Sequence, residues 1–307
     1  IGNSVLHVQR QGARVRDLFY SLERDGYAGN DLSVLAPHLF DNHFIRQWDY
    51  QQAPGSLVWA VRDDGLLLCM VYLKEHDLWG WSRFVTKGQV RSCAVTAGNM
   101  EDTLYLVVER KIKGASKWYL ERCAPRWEED FGINRAFFVD CGLSYNNPAS
   151  PVAVVSGLDH LEGESVVILA DGSPLAEQVV TGGRVTLPYA AGVIHVGLPY
   201  TSYLCPQTPE ADAQEGATLG RVRLYGNSRL LVHQSVGGRY GHAKDAAAAY
   251  ELPFAPDTWG TPVKPFSGAL EFNPDLAYSP EGRIWFSQKL PLPLTIVALT
   301  LDVEFGG

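Results

Sequence analysis

Three stretches of this chain repeat one local pattern, and that pattern restricts the fold more than anything else in the sequence. Ser4 to Arg10 and Val15 to Tyr20 flank a turn at Gln11-Gly12-Ala13. Leu57 to Arg62 and Leu66 to Leu73 flank Asp63-Asp64-Gly65, and Thr103 to Glu109 and Lys117 to Cys123 flank a turn around Lys113-Gly114. Each stretch sets β-branched and aromatic residues, which suit a pleated and half-buried surface, on either side of a glycine that can take positive φ. The expected product is a hairpin. Aligned on Val5, Val58 and Leu104, the units recur at intervals of about 53 and about 46 residues. A period near this length, with about four strands per unit, is the signature of a β-propeller blade.

Between the second and third hairpins, Trp79 to Phe84, a Lys87-Gly88 turn and Val90 to Thr96 supply the outer strand of one blade and the inner strand of the next. Asp31 is placed to cap a short helix over Asp31 to Phe40. Three units are too few to close a propeller of roughly four to eight blades, so the array stays open or further blades lie outside this sequence. The start at Ile1-Gly2-Asn3, with neither an initiator Met nor a leader pattern, reads as the interior of a longer chain.

A seam is expected at Asn146-Asn147-Pro148-Ala149-Ser150-Pro151. It divides the chain into propeller-like blades over residues 1–147, a small five-stranded β domain over 148–206 and a C-terminal β region over 207–307. The middle segment offers strands at Val152–Ser156, Ser165–Ala170, Gln178–Val180, Arg184–Leu187 and Val193–Gly197, with turns at Glu162-Gly163, Asp171-Gly172 and Gly182-Gly183. This spacing suits a small barrel or sandwich. Pro206 to Gly216, polar and acidic, reads as a linker or an exposed loop. Beyond it, Gly220–Tyr225 and Leu230–Val236 are expected to pair around Gly226-Asn227-Ser228. A Pro/Gly-rich stretch, Leu252–Gly268, then precedes strands at Arg283–Gln288 and Leu294–Glu304. The fold class that results is all-β: partial propeller-like blades, then a small barrel or sandwich, then a C-terminal region that completes the propeller or forms a ring-building platform.

Composition limits the function. Hydrophobic residues make up 46% of the chain and charged residues 20%, which is ample material for a globular core. No segment approaches the ~18 consecutive apolar residues of a membrane-spanning helix. A net charge of −8 argues against a protein built to grip nucleic acid. Cys69, Cys93, Cys123, Cys141 and Cys205 form no C-x-x-C pair and read as reduced, mostly buried thiols, with one oxidised pair as the alternative.

The chemistry-bearing motifs are sparse. The sequence has no phosphate-binding glycine loop, no H-E-x-x-H and no G-x-S-x-G; Gly114-Ala115-Ser116 belongs to a hairpin turn. Paired acids could flank a sugar bond in a propeller glycosidase. The candidates are Asp63-Asp64, Glu128-Glu129-Asp130 and Glu162 with Glu164, and all read as turn or surface residues. His38 with His43, and His160 with His195, lack the spacing of a complete metal site. Trp79, Trp81, Trp118 and Tyr119 suit blade packing, or alternatively a sugar-stacking platform. No catalytic, cofactor or metal residue is expected.

Several runs carry a family resemblance. They are Ser156-Gly-Leu-Asp-His-Leu-Glu-Gly163 with Val166–Leu169, Ala170-Asp171-Gly172 and Val193–Tyr200; Val5–Arg10 with Val15–Leu18 and Asp25-Gly26-Tyr27; and Asp102–Arg110 with Tyr119–Arg122. Together with Pro291–Val297 and Glu304–Gly307, they resemble the tail nozzle, hub or stabilisation proteins of short-tailed bacteriophages. Ser156 to Tyr200 is similar to a segment called a ubiquitin-activating-enzyme-like β domain, without any adenylation or thioester site. The resemblance implies a non-enzymatic virion protein, assembled in the bacterial host cytoplasm. It implies a homohexameric ring below the portal and adaptor proteins that anchors tail fibres or spikes and passes double-stranded DNA through its lumen. It implies no cofactor, and no catalytic residue carries over. Glu128–Asp130 and Ala246–Tyr250 match less well. The competing expectation is a propeller-based carbohydrate- or receptor-binding protein.

Overall fold

The computed structural model describes residues 1–10, 14–209, 212–213, 216–217, 221–242, 244, 250–254, 263–274 and 282–305. The first hairpin's turn at 11–13, residues 210–211 and 214–215 of the acidic linker, 246–249, and residues 255–262 of the Pro/Gly-rich stretch lie outside the described residues. Strand makes up 55% of the structure and no helix among the described residues reaches seven residues, so the chain is all-β. It forms two compact units, Ile1–Pro125 and Arg126–Gly307.

The first unit holds three antiparallel sheets. One comprises β1 (Ser4–Val8), β2 (Val15–Ser21) and β3 (Gly26–Ala28). The next is a four-stranded meander of β4 (Ile45–Gln51), β5 (Leu57–Arg62), β6 (Leu67–Leu73) and β7 (Leu78–Phe84). The last joins β8 (Gln89–Thr96), β9 (Thr103–Ile112) and β10 (Ala115–Arg122). Strands β5 and β6 are apolar on both faces, and alternation sorts their side chains into two cores. Val58, Ala60, Leu68, Met70 and Tyr72 pack with Val15, Leu32, Leu39 and Phe40 of the first sheet and its following loop. Trp59, Val61, Leu67 and Cys69 pack with Val90, Cys93, Leu104, Leu106 and Val108 of the third sheet. The middle sheet is therefore covered on both sides.

Polar pins fix this stack. Asp17 is buried on β2; its carboxylate accepts from Asn30 N at 2.5 Å, Tyr72 Oη at 3.0 Å and Lys74 Nζ at 3.2 Å. Burial alone would raise the Asp17 carboxyl, but the Asn30, Lys74 and Tyr72 bonds outweigh it and hold the group below its ordinary value. Gln47 Nε2 donates to Cys93 O at 2.7 Å, and Asp49 accepts from Val95 N at 2.7 Å, tying the meander to β8. At Gly65 (φ +87°) a side chain would start 2.7 Å from Gln89 Cβ, so glycine lets this turn lie directly against β8.

The second unit begins with 3₁₀ turns at Glu129–Phe131 and Ile133–Arg135. Strands β11 (Asp140–Asn146), β12 (Val152–Ser156), β13 (Ser165–Ala170), β14 (Ser173–Val179), β15 (Arg184–Ala191) and β16 (Val193–Leu198) follow. They form a sheet in the order β11-β16-β13-β14 and a pair β12-β15. All of β16 and nearly all of β13 are buried, which explains their unbroken apolar runs. Then come β17 (Ser202–Leu204), β18 (Asp212–Ala213), β19 (Gly216–Ala217), β20 (Arg223–Tyr225), β21 (Ser228–Ser235), β22 (Arg239–Gly241) and β23 (Tyr250–Glu251). The last are β24 (Phe266–Phe272), β25 (Trp285–Gln288), β26 (Thr295–Thr300) and β27 (Val303–Phe305). Their sheets are β17-β25-β22-β23, β24-β21-β26, β20-β27 and β18-β19. Tyr225, Leu230, Phe272, Ile284 and Phe286 centre one core, and Ile133, Leu169, Val236 and Leu292 form another.

Of the barrel and the sandwich expected for the middle segment, no closed barrel forms among the described residues. Two expectations change. No helix forms over Asp31–Phe40: Asp31 Oδ1 accepts from Ser33 N at 2.9 Å in a local turn, and only a 3₁₀ turn, Pro37–Leu39, follows. Finally, β20 pairs with β27, while β21 pairs with β24 and β26. Gly226 N donates to Asp302 O at 2.8 Å, which carries the chain across to the C-terminal strand instead of back into a local hairpin.

Asp17→Ala should cost about 3–5 kcal/mol in denaturant unfolding, because Lys74 loses its buried partner. A depressed carboxyl stabilises the fold above its unfolded pKa, and that contribution disappears as pH falls through the lower folded value. Wild-type stability should therefore drop on acidification below about pH 4, and Asp17→Asn should flatten that drop. An Asp17→Ala variant as stable as wild type would contradict this account.

Candidate functional site

Among the described residues, one group of three metal-ligating side chains converges: His43, Asp63 and Asp64. They come from the loop before β4 and from the β5–β6 turn. His43 Nδ1 lies 2.9 Å from Asp63 Oδ1, while His43 Nε2 lies 3.9 Å from Asp64 Oδ2. The ring thus turns a different nitrogen to each acid, and one cation cannot use both. Arg62 occupies Asp64 through two bonds, at 2.8 and 2.5 Å, and with Leu66 N holds its carboxyl down at about 2. The cluster is an ion-paired clasp on the turn. His38 is exposed on its 3₁₀ turn and is not part of this group.

The remaining acids divide between a turn brace and open surface. Glu162 accepts from Gly182 N at 3.1 Å and Gly183 N at 2.7 Å, bracing the turn before β15. Glu128, Glu129 and Asp130 are exposed around a 3₁₀ turn, beside which Trp127 Nε1 donates to Gly132 O at 2.9 Å. Ser116 Oγ bonds to Glu109 in the β9–β10 hairpin, far from any nucleophile-elbow geometry.

Sequence reading missed one pair. Ser144 on β11 and His195 on β16 are cross-strand partners, with Ser144 Oγ 2.7 Å from His195 Nδ1. His195 Nε2 lies 3.0 Å from Asn134 O, an acceptor only, so Nε2 carries the proton and Nδ1 accepts from the serine. Burial lowers the His195 pKa, and the bond to Asn134 opposes this only in part. The pair satisfies a buried histidine. The signal was present in the sequence only as a lone His in an apolar run. His160 has its own partner, Cys141 O at 3.0 Å.

The aromatic candidates separate. Trp79 and Trp81 pack on the first core; Trp81 Nε1 donates to Leu32 O at 2.9 Å and its ring meets Phe40 edge-on. Trp118 is 61% exposed, and Leu120 beside it on the same face of β10 is 76% exposed. At the opposite end of the stack, Val5 faces Leu18 and Tyr20 faces Tyr27 on the outer side of the first sheet, all four exposed. In the second unit a cavity of about 290 Å³ is lined by Phe138, Tyr200, Tyr203, Phe286 and Leu292, with Ser202 and Gln288 as polar edges. Burial, then the Asp140 charge, pushes the Tyr200 hydroxyl up to about 12.

All five cysteines are free thiols, of which only Cys69 and Cys93 are buried. Burial pushes Cys69 up to about 12, with a contribution from Cys123, and Cys93 up to about 11, with a contribution from Asp49. No protein-family model matches the sequence, and no curated protein matches it.

A histidine whose folded pKa is depressed withdraws stability as pH falls through its unfolded value of about 6.5. NMR titration should place His195 below that value, and the melting temperature should fall between about pH 7 and pH 5. A His195 pKa above 6.5 would contradict the assigned hydrogen bonds.

Proposed function

We propose that this chain is a structural subunit of a phage tail, of the nozzle or hub kind, whose copies form a ring-shaped DNA conduit below the portal and adaptor and anchor tail fibres. The observation that carries this reading is the pair of open apolar faces at the two ends of the first unit's three-sheet stack. Inside the chain, each face of the middle sheet is covered by another sheet. The outer faces, with Val5, Leu18, Tyr20 and Tyr27 at one end and Trp118 and Leu120 at the other, have the same chemistry and stand exposed. Exposed patches of this kind mark interaction surfaces. Two different patches joined head to tail make a heterologous contact, which closes into a ring when the rotation per copy permits. The resemblance of Ser156–Tyr200 and of the first and third hairpins to the tail family supplies the six-fold order and the partners. An overall charge of −8 suits a lumen that does not hold DNA tightly.

A second reading, a carbohydrate- or receptor-binding protein, is favoured by Trp118 alone. Trp79 and Trp81 are spent on the core.

Light scattering on the purified chain should give a mass near six subunits, alone or after addition of portal and adaptor proteins. Trp118→Glu with Leu120→Glu should abolish assembly, and so should Val5→Glu with Tyr27→Glu. Mixing these two variants should restore one contact and yield dimers only. A wild-type monomer indifferent to those partners, yet retained by a glycan array through Trp118, would transfer the case to the second reading.

A further inference from the structure

We infer that the cavity in the second unit is a binding pocket for a small, neutral, largely apolar molecule the size of two fused rings, bearing one hydrogen-bond acceptor. The cavity reaches from solvent down to the core. Phe286 and Leu292 at its base are buried, Leu294 and Ile296 are half-buried, and Tyr203, Leu204 and Leu290 are exposed.

Its walls are set without an occupant. Strand register places Ser202 opposite Gln288 and Leu204 opposite Phe286, so β17 and β25 supply adjoining walls. Gln288 is buried with both ends of its amide engaged: Nε2 donates to Val236 O at 2.8 Å, and Oε1 accepts from Leu290 N at 3.2 Å. Val236 N in turn donates to Pro293 O at 2.9 Å, and Leu292 N donates to Leu290 O at 2.8 Å. These bonds clamp segment 290–294 between the end of β25 and the residue after β21. At Gly238 (φ +105°) a side chain would start 2.9 Å from Leu294 Cδ2, so glycine lets Leu294 seat where it does. Walls held by their own hydrogen bonds do not slump inward to fill the space, which is the preformed state of a ligand pocket.

The lining selects the occupant. None of the side chains around the cavity is charged. Lys244 rests over the Tyr203 ring at 4.9 Å, but its own side chain is exposed. An ion entering the cavity would leave water without a buried counter-ion to receive it. The Asp140 charge that acts on Tyr200 disfavours an anion further. Burial keeps the Tyr200 hydroxyl protonated at neutral pH, and among the described residues it makes no hydrogen bond. It is therefore a donor available to a carbonyl or ether oxygen. Volume sets the size: about 290 Å³ is roughly twice the ~150 Å³ apolar cavity that admits benzene. Two fused rings with one oxygen match that space and that lining. A nucleotide or a sugar would bring charges or hydroxyls that these walls leave unpaired. The inference goes beyond the tail reading and does not rest on it.

The test is a calorimetric titration of the full chain with 1-tetralone, a neutral bicyclic ketone, beside 1-naphthoate, an anion of similar size. Wild type should bind 1-tetralone at one saturable site and 1-naphthoate at least about tenfold more weakly. Tyr200→Phe, which keeps the ring and removes the donor, should weaken 1-tetralone binding about three- to tenfold, the worth of one neutral hydrogen bond. Ser202→Trp should fill the cavity and abolish binding. If circular dichroism shows that variant misfolded, Leu290→Trp replaces it, with the same expected loss. Trp118→Glu with Leu120→Glu, in the first unit, should bind like wild type. Absence of saturable binding by wild type, equal affinity for 1-naphthoate, or undiminished binding in the tryptophan variant would each overturn the assignment. So would binding only in the Trp118→Glu with Leu120→Glu variant, since the occupant would then be another copy of the chain. A chain that is monomeric throughout and binds 1-tetralone here retains the pocket while the ring reading falls.

Discussion

The middle sheet of the first unit has no face that can be left in water, and the rest of that unit answers this constraint. Val58, Ala60, Leu68 and Met70 look one way while Trp59, Val61, Leu67 and Cys69 look the other. Burying either set against solvent-facing polar residues would leave several large side chains hydrated, at roughly 1.5–3 kcal/mol each. A sheet on each side is the remedy. Once that stack exists, Asp17 becomes a buried carboxylate that must be paired, and Tyr72, Lys74 and the Asn30 amide converge on it. The polar pins thus follow from the apolar sandwich, and they fix its register.

The same logic explains what a reader of the sequence sees and misses. The strand pairs of the first unit are legible because hairpin partners are neighbours in the chain and glycine marks their turns. Ser165–Ala170 and Val193–Leu198 are legible as strands because both faces are buried. Their partners are less so. Strand β11 joins β16 across about fifty residues, and nothing local to Asp140–Asn146 announces it. Strands β20 and β21 look like a hairpin around Gly226-Asn227-Ser228, yet each finds a partner near the C-terminus. Long-range pairing is set by packing, which single-chain periodicity does not encode.

Candidate sites show a parallel split. Asp63-Asp64 and Glu162 read correctly as turn residues, because acids beside glycine commonly bind backbone N–H groups. The Ser144–His195 contact stayed hidden, since the two lie 51 positions apart and meet only through register.

The thiols carry a consequence of a different kind. A cysteine reacts with oxidants and disulfides through its thiolate. At neutral pH a group held at about 12, as Cys69 is, exposes on the order of one thiolate in a hundred thousand molecules. Cys93, at about 11, is nearly as inert. The two buried thiols of the first unit are therefore poor targets for oxidants and disulfides, so Cys69 and Cys93 stay free cysteines even where their surroundings become more oxidising.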